Sequence, residues 1–163
     1  MFPAYEWSVN QDNSYKFTTH DGRNYKCLFT ECQIKDRNDD THVAYSFTFD
    51  KQGAFSFEGF MHKHDSRIKF TIFKIIEHVF NKFESCAVLY HCFPGDQYAR
   101  QRSITFSMWA KEAPDTYALY KKTLNSEDGV LYCGVIVMEN NPLKDLLVEA
   151  SEPFFSDVIG KDL

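Results

Sequence analysis

The stretch SRIKFTIFKIIEHVFNKF at residues 66–83, with ESCAVLYHCF at 84–93 behind it, decides the fold class. Ile68, Ile72, Ile75, Ile76, Val79, Phe80 and Phe83 recur at three- and four-residue spacing. That is the period of one buried face of an α-helix. Asp65 or Ser66 stands where an N-cap accepts the first backbone N–H groups of the helix. From Cys86 to Phe93 the pattern changes to a nearly continuous apolar run with β-branched and aromatic members. Such a run suits a strand covered on both faces, and Pro94-Gly95 ends it.

Upstream of the helix the chain alternates instead. Tyr15 to Thr19 reads as a strand, and His20-Asp21-Gly22-Arg23 as a turn in which Gly22 supplies a positive φ. Asn24 to Ile34 is the partner strand, with Tyr25, Cys27 and Phe29 on one face. After a charged loop, Lys35 to Thr41, the stretch Val43 to Asp50 points Val43, Tyr45, Phe47 and Phe49 one way. Lys51-Gln52-Gly53 turns the chain into a fourth strand, Ala54 to Met61, carrying Phe55 and Phe57. These four form an antiparallel meander, half-buried on one face. Residues 1–14 read as a loose arm.

Downstream, Gln97 to Glu112 fits both periods. It is assigned to a helix because it follows a buried strand and a turn, with Pro114 as a stop. Thr116 to Leu124 and Val130 to Met138 read as a hairpin closed around Asp128-Gly129. Asn141-Pro142 opens a short C-terminal helix, Leu143 to Ala150. Ser151 to Leu163 then either docks Phe154, Phe155, Val158 and Ile159 or frays. The expected fold class is α+β: a mixed, largely antiparallel sheet with helices packed on it, in one domain over residues 1–163.

Composition narrows the function classes. An aromatic fraction of 17% excludes intrinsic disorder. No apolar run approaches the roughly 18 residues of a membrane helix, and the first ten residues lack the pattern of a signal peptide. The five cysteines, Cys27, Cys32, Cys86, Cys92 and Cys133, form no C-x-x-C pair, which points away from zinc and towards a reduced, cytoplasmic setting. The net charge of −5 argues against a nucleic-acid binder. It is unevenly spread: residues 139–163 carry −4, whereas 62–82 and 97–111 each carry +3. Such clusters are solvated faces, or a basic middle that receives a phosphate, a nucleotide or the chain's own acidic tail.

The order of four antiparallel strands, helix, buried strand, helix and hairpin, from Tyr15 to Met138, resembles the core of the GNAT acetyltransferase superfamily. The resemblance implies that the segment opening the first helix, Met61 to Arg67, holds an acetyl-CoA pyrophosphate at a helix N-terminus. This segment has no glycine where the family has its glycine-rich loop, and Lys63, Ser66 and Arg67 stand in its place. The resemblance also implies a general-acid tyrosine on the helix after the buried strand, where Tyr98 is the candidate. A second resemblance is narrower. Asp65-Ser66-Arg67-Ile68, Leu89-Tyr90-His91-Cys92 and Asp96-x3-Arg100-x-Arg102-x3-Phe106-x2-Trp109 are similar to a family of uncharacterised proteins from Bacteroidetes bacteria. This implies a bacterial, single-domain, intracellular protein and no particular chemistry.

Other constellations are weaker. His62-x-His64-Asp65 supplies too few ligands for a metal. Asp96, Arg100 and Arg102 follow the C-terminal end of the buried strand, where α/β sheets tend to bind ligands. There a guanidinium can grip a phosphate or carboxylate, although a cap at Asp96 and pairing of the arginines with acids of the C-terminal tail are the commoner roles for such residues. His91 and Cys92 are strand neighbours that point to opposite faces, which disfavours a Cys–His nucleophile. Tyr15, Phe17, Tyr45 and Phe47 suit a core under the helices better than a base-stacking platform.

The expected function is therefore binding of a small anionic ligand or a protein partner by Lys63, Ser66, Arg67, Asp96, Arg100 and Arg102, with no metal and no resident cofactor. The alternative is an acetyl-CoA-dependent N-acyltransferase with Tyr98 as general acid. A further alternative is a structural module that dimerises through its C-terminal tail, where Phe154-Phe155 is the aromatic segment to suspect of meeting a partner.

Overall fold

The computed structural model describes residues 4–51, 66–83, 85–92, 107–108, 111–112, 115–127 and 129–161. Within them the chain forms β1 (Trp7–Val9), β2 (Ser14–Thr18), β3 (Asn24–Lys35), β4 (Thr41–Lys51), α1 (Ser66–Lys82), β5 (Ala87–Cys92), β6 (Tyr117–Ser126), β7 (Gly129–Met138) and α2 (Lys144–Lys161). The seven strands lie in the order β1-β2-β3-β4-β5-β7-β6, in a mixed, largely antiparallel sheet. The α+β class read from the sequence is thus observed. The expected strand over 54–61 lies outside the described residues. So does most of the expected helix over 97–112, of which residues 107–108 and 111 are helical.

The buried face changes part-way along β3. Tyr25, Cys27 and Phe29 are buried at odd positions, and Ile34 at an even one, with Cys32 partly buried beside it. Side chains alternate across a strand, so these two sets serve opposite faces. In β4, Ala44 is buried next to Tyr45 and Phe47. Val43 was expected to share the face of Tyr45 but is 40% exposed. Here burial of Ala44 on the other face replaces the one-sided pattern that simple alternation implies. Correspondingly the chain groups into two compact units, residues 1–29 with 47–83, and residues 30–46 with 84–163.

The first unit is built on aromatic rings. In the β2–β3 register, Phe17 lies opposite Tyr25 and Tyr15 opposite Cys27. The register is set by the turn at 19–23, where Gly22 has φ +86° and donates its N–H to the Thr19 carbonyl. Stacked rings then run Tyr5, Phe17, Tyr25, Phe49, with centroids 6.0, 5.4 and 5.2 Å apart. A second row places Tyr15 against Phe29 and Phe29 against Phe47. Helix α1 buries Ile68, Ile72, Ile75, Ile76, Val79 and Phe80, six of the seven residues that its period singled out, while Phe83, just beyond its end, is half-buried. The loose arm expected at 1–14 instead contains β1, which pairs with β2 through Trp7↔Phe17 and Val9↔Tyr15. Trp7 and Tyr15 both meet the His78 ring edge-on, tying this segment to α1.

The second unit has an aliphatic core. Ile34, Ala44, Ala87, Leu89, Val135, Val137, Leu147 and Phe155 are central to it. The long hairpin β6–β7 pairs from Tyr117↔Met138 to Ser126↔Gly129. The C-terminal helix is not short. It begins under an Asn141 side chain that accepts the Leu143 N–H at 2.9 Å, and it continues through Pro153 to Lys161. Pro153 can donate no backbone hydrogen bond. Burial of Phe155 to 1% exposure beyond it offsets that loss. Phe154 is half-buried and packs against the same core, edge-on to Phe155. Among the described residues, no helix is long and apolar enough to cross a membrane.

Two details of this unit give measurable expectations. Gly134 of β7 lies opposite Tyr90 of β5, and a Cβ added there would fall 2.5–2.6 Å from the Tyr90 ring and hydroxyl. Tyr90 is 3% exposed and has little room to yield. Gly134→Ala is therefore expected to destabilise the protein by about 1–3 kcal/mol in urea unfolding, the range for overpacking a core. Combining it with Tyr90→Ala should recover part of the loss, because the two changes share one contact.

The second detail is the β3–β4 turn. Asp36 accepts hydrogen bonds from the N–H groups of Asn38 and Asp40 through Oδ1, and its Oδ2 lies 2.7 Å from His42 Nε2. The His42 contact, followed by the backbone N–H groups, holds the Asp36 carboxyl below the usual carboxylate range. A depressed carboxylate stabilises the folded state above its unfolded pKa, near 4, and loses that contribution as pH falls through the folded value. The difference in urea midpoint between the wild type and Asp36→Asn is expected to be full at neutral pH and to shrink below about pH 4. A difference that stayed constant down to pH 2 would refute this account.

Candidate functional site

Helix α1 is positioned by its apolar face, and that face determines what its first turn presents. Ile68 and Ile72 point into the core, so Arg67 lies at the rim of the first unit. Its guanidinium carbon sits 3.9 Å from the centroid of the Tyr5 ring. Tyr5 is fixed in turn. Its N–H donates to Thr71 Oγ1 at 2.8 Å, and that hydroxyl donates to the Arg67 carbonyl at 2.6 Å. At its other end the Tyr5 hydroxyl is 2.9 Å from His20 Nδ1. Arg67 thus caps the row of stacked rings, and its main chain is pinned to the residue beneath its side chain.

The electrostatics of this turn run against the helix. A helix N-terminus carries roughly half a positive charge and is stabilised by acids, not bases. The first turn of α1 has no acid, and it carries Arg67 and Lys69. Lys69 is 8% exposed, and its ammonium lies 5.3 Å from the Phe70 ring centroid. Ring faces are negative and attract both cations. A guanidinium stacked through its face keeps its N–H donors in its own plane, where they suit a carboxylate or phosphate.

Of the residues singled out from the sequence, Ser66 opens α1 and Arg67 occupies the place just described. Lys63, Asp96, Tyr98, Arg100 and Arg102 lie outside the described residues, as do His62, His64 and Asp65. The sequence reading missed Tyr5, Thr71 and His20. The available signals were an aromatic in a supposed arm and a lone hydroxyl on the apolar face of a helix. Three acids of the C-terminal segment have partners within the second unit. Glu149 meets Arg37 at 3.4 Å and Glu152 meets Lys122 at 3.1 Å, while Glu139 meets Lys144 at 2.8 Å.

Three of the thiols, Cys27, Cys32 and Cys86, are poorly suited to nucleophilic chemistry, which requires the thiolate. Burial raises the pKa of Cys27 and Cys32 and pushes that of Cys86 up to about 12. Among the described residues, no group of three or more His, Cys, Asp or Glu could hold a metal ion.

No curated protein and no solved structure matches the chain. The model of one family, described as a family of unknown function (DUF6169), matches residues 64–152. The matched span is more than half of the 163 residues and runs from the start of α1 into α2. It includes Arg67 and Lys69 and leaves out Tyr5 and His20, so the cations of the first turn are within the matched region and their aromatic anchor precedes it. The chain belongs to this family of unknown function.

Proposed function

We propose that the protein is a GNAT-like domain of bacterial, cytoplasmic origin that binds a small anionic ligand at the start of α1 and does not itself catalyse acyl transfer. The GNAT-like part of this reading is supported by the order of strands, α1, β5 and the β6–β7 hairpin. The observation that carries the binding part is Arg67 stacked on Tyr5 in a helix turn with no acid. An anion there would meet the helix dipole, the guanidinium and the Lys69 ammonium together. Lys63, Ser66, Asp96, Arg100 and Arg102 are the further residues proposed to line the site. The missing glycines near 61–67 favour binding over catalysis, because they deny a long pyrophosphate its close approach to the backbone.

Thermal unfolding in the presence of inorganic phosphate, CoA and acetyl-CoA tests the reading. A ligand at about 100 times its Kd stabilises the native state by about 2.7 kcal/mol. For a chain of this length that corresponds to a rise in Tm of about 5–10 °C. The rise is expected with phosphate-bearing ligands and should largely vanish in Arg67→Gln, each measured against its own ligand-free Tm. No rise with any of the three at millimolar concentration refutes anion binding at this site. Acetyl transfer to an amine, abolished by Tyr98→Phe, would establish the acyltransferase instead.

A further inference from the structure

An open groove of about 600 Å³ runs along the first unit, lined by Glu6, Trp7 and Ser8, by Lys16 and Thr18 of β2, and by Asn24 of β3 among others. Its size falls within the range of small-molecule sites. The pairings Ser8↔Lys16 and Thr18↔Asn24 put these four residues on one face of the sheet, since residues directly opposite share a face. Phe17 and Tyr25 also line the groove, although their rings stack on each other. Arg67 is not among the residues that line it.

The charges of this face leave two groups uncommitted. Lys16 stands directly opposite Lys26, and like charges so placed repel. Lys26 is neutralised by Asp12 of the β1–β2 turn at 3.5 Å. Neither Lys16 nor Glu6 has an ion pair or hydrogen bond among the described residues. Thr18 donates its hydroxyl to Asn24 Oδ1 at 2.6 Å, which fixes that amide and leaves its two Nδ2 donors for a guest. The groove thus offers donors from Lys16, Asn24 and Ser8, and a carboxylate acceptor from Glu6. Its two charges cancel overall but do not pair with each other.

We propose that this groove binds a small dipolar ion that carries an anionic oxygen group and a primary amine. The carboxylate or phosphate would meet Lys16 and the Asn24 amide, and the ammonium would meet Glu6. Such a guest meets both charges at once, and glycine does so without leaving a net charge behind, whereas a simple anion or a simple amine would satisfy only one.

Backbone amide shifts of Ser8, Lys16, Thr18 and Asn24, followed by NMR on the full chain, test the proposal. Phosphoethanolamine and glycine are expected to give saturable shifts there, while acetate and ethylamine bind about tenfold more weakly or less. Tighter binding of phosphoethanolamine would mark phosphate as the anionic group, and tighter binding of glycine would mark carboxylate. Lys16→Met should weaken both dipolar ions about tenfold, and Glu6→Gln should weaken them without affecting acetate. Arg67→Gln should change none of these shifts, which keeps the outcome independent of the α1 site. The proposal is overturned if no saturable shift appears at tens of millimolar, if acetate binds as well as glycine, or if Lys16→Met binds like the wild type.

Discussion

The stacking of Phe17 on Tyr25 is the contact from which the first unit is built. The two residues lie opposite each other in adjacent strands, and the rings are 5.4 Å apart and nearly parallel. A slip of one residue in this register would turn every ring on β2 to the solvent face. Aromatic pairs contribute about 0.5–1.5 kcal/mol beyond their buried area, so a row of four rings resists that slip strongly. The row also reaches past the paired residues. Tyr5 adds a ring from the N-terminal segment, and Arg67 closes the row with a cation. The place of Arg67 at the start of α1 is thus set by packing that begins two strands away.

The second constraint is the change of buried face within β3 and β4. A strand that buries one face along its whole length serves one core. These two strands bury odd positions at one end and even positions at the other, so each contributes to an aromatic core and to an aliphatic one. Ala44 shows the steric side of this. It is fully buried beside Tyr45, in a position where a small side chain can be enclosed while the large ring takes the opposite face.

These features also separate what the sequence discloses from what it hides. The face of α1 was legible because seven apolar residues at one period have no competing reading. The ring faces of β2 and β3 were legible because Gly22 fixes the turn and alternation does the rest. Val43 was misplaced because alternation alone does not say which face is buried where a second core begins. Strand β1 was invisible, since three residues of mixed polarity have no period of their own. It exists through pairing with β2 and through Tyr5 and Trp7 meeting α1, contacts separated by some seventy residues in the chain. The end of α2 was set too early, at Ala150, and burial of Phe155 carries the helix past Pro153. Of the candidate site, charge clustering disclosed Arg67, but the ring beneath it depends on the same distant contacts that made β1 unreadable.

The two helices differ in how their first turns are satisfied, and the difference bears on how a ligand would be held. Helix α2 is complete in itself. Asn141 caps it, Asp145 is an acid in its first turn, and Lys144 is bound to Glu139. Helix α1 carries its charges the other way and holds them against rings, Arg67 over Tyr5 and Lys69 by Phe70. The negative ring faces offset part of the repulsion between these cations and the helix dipole. Because the rings do this without a ligand, the cations need not be gathered when an anion arrives. Their positions are already set by the core, and ordering that precedes binding leaves more of the attraction to appear as affinity.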